Sequence, residues 1–128
     1  MKFSLSCRIA VFSLAFIIAG NEAKGQVILN EFLASNKTIN QDPDFYEYTD
    51  WIEIYNAGVS NINLNGYFVT DDLNEPDKWR ITENLNIPAK GYALIWTDGK
   101  NTGLHTSFKI SQLGEEIGLF SPSLALID

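Results

Sequence analysis

The chain has 128 residues, with nine Lys plus Arg against sixteen Asp plus Glu and a formal charge of −7. Hydrophobic residues make up 45% and aromatics 12%, enough for one globular core and too many for a disordered acidic tail. From Gln26 onward the balance is six basic against fifteen acidic groups, a net of −9, which opposes nucleic-acid binding because a phosphate backbone is held by Lys and Arg that displace its counterions.

Residues 1–25 read as a secretory signal peptide. Lys2 and Arg8 precede an uncharged apolar run at 9–19, and eleven residues of helix span only about 16 Å of a bilayer core of roughly 30 Å. Ala23 and Gly25 put small residues at −3 and −1, so cleavage is expected before Gln26, with Ala19/Gly20 as the alternative. No later apolar run is long enough to form a transmembrane segment. The mature domain is thus expected to be residues 26–128, secreted or at the cell surface. Its one cysteine, Cys7, lies in the leader, so an exported bacterial protein stabilised by its core rather than by disulfides is the natural reading.

After the leader, apolar segments recur about every ten residues, at 27–33, 51–55, 67–70, 78–81, 92–97, 106–110, 117–120 and 124–127. Val, Ile, Thr and aromatic residues dominate them, and no 3.6-residue stripe persists for three turns, which predicts an all-β sandwich. Gly58, Gly66, Gly91 and Gly99 close Asn-, Asp- or Pro-containing turns where a positive φ is expected. Alternation in 51–55 sends Ile52 and Ile54 to the core and Trp51, Glu53 and Tyr55 to the other face. Both faces of 92–97 are apolar, which predicts a central strand covered by a loop or meeting a partner. Residues 34–49 carry few aliphatics and form a loop of unusual length, itself a candidate for function.

Several segments together resemble the lamin tail domain family, and in particular its bacterial secreted branch. They are Ile28-Leu29-Asn30-Glu31-Phe32-Leu33-Ala34-Ser35-Asn36, Asp50-Trp51-Ile52-Glu53-Ile54-Tyr55-Asn56, Leu64-Asn65-Gly66-Tyr67, Thr70-Asp71-Asp72, Pro76-Asp77-Lys78-Trp79 and His105-Thr106-Ser107-Phe108-Lys109-Ile110-Ser111. The resemblance covers essentially all of 26–128. It implies an immunoglobulin-like β-sandwich without catalytic machinery, serving as a binding or adhesion module of a larger exported protein, beside a CotH-type, nuclease or phosphoesterase domain. Family members usually run on past the equivalent of Asp128, so this chain is expected to lack a last strand. DNA-linked roles of animal relatives find no support in the −9 charge.

Two acidic clusters are candidates for Ca²⁺, which takes hard oxygen ligands at short spacing. Asp71, Asp72, Glu75 and Asp77 are the first choice for a metal site; Asp42, Asp44, Glu47 and Asp50 form the second cluster. The plain alternative for each is a solvated loop whose Asp and Asn side chains cap turns. A Ca²⁺-stabilised spacer module is therefore the second functional reading, with no other cofactor expected. His105 is the only histidine; without a nucleophile motif it reads as a packed structural residue rather than part of a Ser/His/Asp relay. One histidine and no mature cysteine also fail to make a closed structural zinc site. Tyr46, Tyr48, Trp51 and Tyr55 are the candidate interaction residues, suited to a protein or an extracellular or cell-surface polymer. Asn36-Lys37-Thr38 matches a glycosylation sequon. N-terminal sequencing of the exported chain is expected to start at Gln26; an intact Met1 on exported protein contradicts the leader assignment.

Overall fold

A computed structural model describes residues 26–113 and 116–128; the signal-peptide reading of 1–25 lies outside the described residues. The described chain is all-β and antiparallel. Its strands are β1 (Val27–Leu33), β2 (Trp51–Asn56), β3 (Ile62–Asn63), β4 (Phe68–Thr70), β5 (Trp79–Arg80), β6 (Asn86–Ile87), β7 (Tyr92–Trp96) and β8 (Gly118–Phe120). They form one sheet of order β1-β2-β7, a second of order β5-β4-β8, and the small pair β3-β6, consistent with the immunoglobulin-like lamin tail fold. Ile52, Ile54 and Ile95 from the first sheet meet Val69, Trp79 and Leu119 from the second in one core, to which β6 adds Ile87.

The predicted alternation in β2 holds for its aliphatics: Ile52 and Ile54 are fully buried while Glu53 and Tyr55 are half-buried. Trp51, assigned to the wetter face, is only 3% exposed. It stands at the end of β2, opposite Leu33 on one side and Trp96 on the other. In β1 the register shifts between Leu29 and Glu31. The extra residue, Asn30, bonds Glu53 Oε1 at 2.8 Å. A bulge of this kind turns the strand's outer half, and Phe32 is left 57% exposed.

Three expectations are corrected. The strand expected at the centre, β7, lies at the edge of its sheet and β2 takes the middle; the outer side of β7 is met at Trp96, whose N–H donates to Leu104 O and whose carbonyl accepts from Thr106 N. The segment 106–110 forms a single bridge at Lys109, next to another at His105, instead of a strand, although Phe108 and Ile110 are buried. The Thr106 hydroxyl bonds Phe108 O at 2.6 Å, so side chain-to-backbone bonding replaces part of a ladder. Of the four turn glycines, Gly66 and Gly99 carry positive φ. At 88–91 Lys90 takes the positive φ instead, and Gly91 is required because a Cβ there meets Pro88 at 2.8 Å.

Asn56 ties the end of β2 to four other residues. It is fully buried. Its Nδ2 donates to Ser60 O at 2.8 Å and Ile87 O at 3.0 Å, and its Oδ1 accepts from Gly58 N at 3.0 Å and Gln26 Nε2 at 3.3 Å. Removing one amide from such a site leaves several buried partners unpaired. Asn56→Ala is therefore expected to lower unfolding free energy by about 2–3 kcal/mol in urea titration, whereas Val59→Ser, at a 93% exposed position, stays within about 0.5 kcal/mol of the parent.

Candidate functional site

Residues 34–50 are an ordered loop knotted at its base. Asn36 is 8% exposed; its Nδ2 donates to Thr49 O at 2.9 Å and also to Ile39 O, its Oδ1 accepts from Thr38 and Ile39 N, and its own N–H reaches Asp50 Oδ1 at 2.8 Å. This amide closes the loop from inside. The sequon asparagine thus spends its nitrogen on the backbone and does not present it to solvent.

Asp42 builds the tip. Its backbone exchanges bonds with Glu47 O at 2.8 Å and Tyr46 N at 2.9 Å, and its Oδ1 accepts from Asp44 N at 2.9 Å, an Asx turn. Tyr46 adopts a φ of 59°, a strained region for a bulky residue. Gln41 Nε2 holds the Tyr46 carbonyl at 2.9 Å.

The tip is joined to the sandwich through His105, which is fully buried. The chain leaves β7 into Asp98-Gly99, where Lys100 N donates to Asp98 Oδ1 at 3.0 Å, and returns so that His105 N reaches Thr102 O at 2.9 Å. His105 Nδ1 lies 2.9 Å from Asp98 Oδ2, and Nε2 lies 3.2 Å from Asp44 Oδ2 and 3.7 Å from Asp42 Oδ1. Both ring nitrogens face carboxylates, so no hydroxyl stands where a serine relay places its nucleophile. The Phe45 ring meets the imidazole edge-on at 5.0 Å, and Trp96 lies on the other side at 6.4 Å. Lys100 Nζ bridges Asp98 at 2.8 Å and Glu47 at 2.7 Å and sits 4.6 Å from the Phe45 ring centre. Burial pushes the Asp98 carboxyl up, but the Lys100 side chain and backbone, with His105, more than offset this and hold it below its ordinary value. Asp98 and Glu47 in turn raise Lys100.

This centre was not legible as a unit. Asp42 is far along the chain from Asp98 and His105, yet among the described residues the three form one group whose ligating atoms all lie within 4.8 Å of one another. The acidic stretch chosen first is arranged differently. Asp71 is taken by Lys78 Nζ at 2.6 Å, Glu75 lies 3.8 Å from the same ammonium, Asp72 caps Asn74 N at 2.9 Å, and Asp77 is exposed. Lys78 thus occupies Asp71, and among the described residues these four carboxylates do not bring their oxygens together as Asp42, Asp98 and His105 bring their ligating atoms.

Of the candidate contact residues, Tyr46 is 76% and Tyr48 46% exposed, beside Phe45 at 42% and Ile39 at 54%. Trp51 is buried and cannot present its face. Tyr55 is half-buried and stacks on Tyr92 with centroids 4.6 Å apart. Of the four candidates, the structure therefore leaves Tyr46 and Tyr48 exposed on the loop, while Phe32 and Tyr92 expose further aromatic surface on the β1-β2-β7 sheet.

The architecture is that of an antiparallel β module with one stiffened, aromatic-bearing loop. The lamin tail domain family model matches residues 21–128, and the chain belongs to that family, whose domain is typically non-catalytic. No curated protein and no solved structure matches the chain.

Because the folded Asp98 carboxyl is held below its ordinary value of 3.8, its contribution to stability is present above that value and lost as pH falls through the lower, folded one. Thermal melts from pH 6 downward should show the parent losing stability more steeply in the acid range than Asp98→Asn, with the variant less stable at pH 6. Parallel curves contradict the assignment.

Proposed function

We propose that this lamin tail domain is a secreted, non-catalytic binding module that contributes adhesion or targeting to an exported protein, with the tip of the 34–50 loop as its contact surface. The observation that carries the reading is the exposure of Ile39, Phe45, Tyr46 and Tyr48 on one loop that is itself fixed by Asn36, Asp42 and His105. Aromatic side chains exposed on a mobile loop lose entropy on binding; on a fixed loop that cost is already met by folding. Tyrosines with an apolar face and a polar tip suit a protein surface or a hydroxyl-rich polymer. The leader at 1–25 supports export, and the net charge of −9 beyond it argues against nucleic acid as the partner. A Ca²⁺-stabilised spacer is the weaker reading because, among the described residues, Asp71, Asp72, Glu75 and Asp77 do not converge on one point.

Co-sedimentation with isolated bacterial cell envelopes, before and after protease treatment, tests the proposal and separates protein from polymer. The parent is expected to leave the supernatant with the envelopes, and Tyr46→Ala/Tyr48→Ala to bind about tenfold or more weakly while melting like the parent. Equal sedimentation of the two proteins, or none by the parent, contradicts it.

A further inference from the structure

The charge at the loop–sandwich junction does not close with the groups described above. Asp42 is fully buried, and the Asp98 side chain is only 6% exposed. One ammonium, Lys100, serves Asp98 and Glu47. Buried carboxylates need matching charge and a donor on each oxygen. Asp42 Oδ1 has the Asp44 amide, but Asp42 Oδ2 is buried with no hydrogen-bond partner. Protonating His105 does not supply one. An imidazolium has two N–H groups; Nδ1 is spent on Asp98 at 2.9 Å and Nε2 on Asp44 at 3.2 Å. The unsatisfied oxygen of Asp42 is therefore left open to a donor or positive centre other than a proton on the ring.

We propose that Asp42, Asp98 and His105 bind a divalent cation of the borderline transition-metal class, with Zn²⁺ as its representative, and that the carboxylate of Asp42, one oxygen of which is buried without a partner, is the anchoring ligand. The three residues each offer one ligating atom, and these lie within 4.8 Å of one another; an ion bound there draws them toward the separation of about 3.3 Å set by metal–ligand bonds near 2.0 Å, with Asp98 releasing its present bond to the ring. An imidazole among the ligands favours Zn²⁺ and its neighbours over Ca²⁺, which takes six to eight oxygens. Three protein ligands leave a position for water, so this is an open site rather than the closed structural kind that one histidine cannot complete. On the metal-bound form Lys100 yields its place on Asp98 and keeps Glu47, which it already contacts at 2.7 Å. The ammonium and the ion are thus competitors for the same carboxylate. The inference stands on this geometry and does not need the loop to be a contact surface.

The test uses the full untagged chain carrying Cys7→Ser, which leaves His105 as the only nitrogen or sulfur ligand of its kind. After EDTA treatment and its removal, ZnCl₂ is titrated in by calorimetry at neutral pH while long-range ¹⁵N–¹H spectra follow the single imidazole. Saturable one-to-one binding with a metal-induced shift of one His105 ring nitrogen is expected. Asp42→Asn should weaken it about tenfold or more, and Lys100→Met should tighten it by about threefold. The opposite signs keep the test decisive if Asp42→Asn folds poorly, since Lys100→Met sits on a partly exposed side chain. An unshifted imidazole at saturating Zn²⁺, preferential binding of CaCl₂ at the same concentration, or weaker Zn²⁺ binding in Lys100→Met overturns the proposal.

Discussion

The imidazole of His105 is the joint on which the structure depends. There the long loop, the β7 exit turn and the 104–106 segment share a fully buried polar group. Asp98 fixes one nitrogen and Asp44 the other, while Phe45 and Trp96 shield the ring. A polar group removed from water is worth little when paired and expensive when not. That asymmetry favours the arrangement in which both ring nitrogens keep their carboxylates. So paired, the joint holds a loop that has few aliphatics of its own with which to pack.

The sandwich and the loop use different physics. In the sandwich, aliphatic faces of β2, β4, β7 and β8 are buried against one another, and the gain scales with area at about 25 cal/mol per Å². In the loop, side chains of Asn36, Asp42 and Asp44 bond backbone or imidazole, and apolar groups point outward. The strained φ at Tyr46 survives because the Asp42 carbonyl and the Gln41 amide hold the N–H and the carbonyl of Tyr46 itself, and Asp42 N holds Glu47 O. Such a loop is stiff without being part of the core, which is the property a contact surface needs if ordering is not to be charged against binding.

Legibility in the sequence followed the range of the interactions. Strand periodicity is local, so the alternation of Ile52 and Ile54, the runs at β1, β2, β4, β7 and β8, and the family motifs were readable. β3 and β6 were missed because two residues each, Ile62–Asn63 and Asn86–Ile87, carry no periodicity. The edge placement of β7 was missed because Trp96 is covered by 104–106, a contact between segments that resembles full burial in the composition. Asp98 reads as a turn residue and His105 as a packed one, and both readings are locally sound. What no local pattern carries is that 42, 44, 98 and 105 meet. That convergence is set by the sandwich, and the unpaired oxygen of Asp42 becomes visible only once the fold is drawn. Trp51 was misjudged for a related reason: strand alternation assigns a face, but the loop end at Asp50 and the neighbours Leu33 and Trp96 decide whether that face is wet.

Amide hydrogen exchange resolved by residue, in the parent and in His105→Ala, tests the central claim most directly. If the joint holds the loop, the Asp42, Asp44 and Tyr46 amides exchange slowly in the parent and approach unprotected rates in the variant, while Ile54 and Ile95 in the sandwich keep theirs. Equal loop protection in the two proteins, or loss of protection in the loop and the sandwich together, contradicts the account.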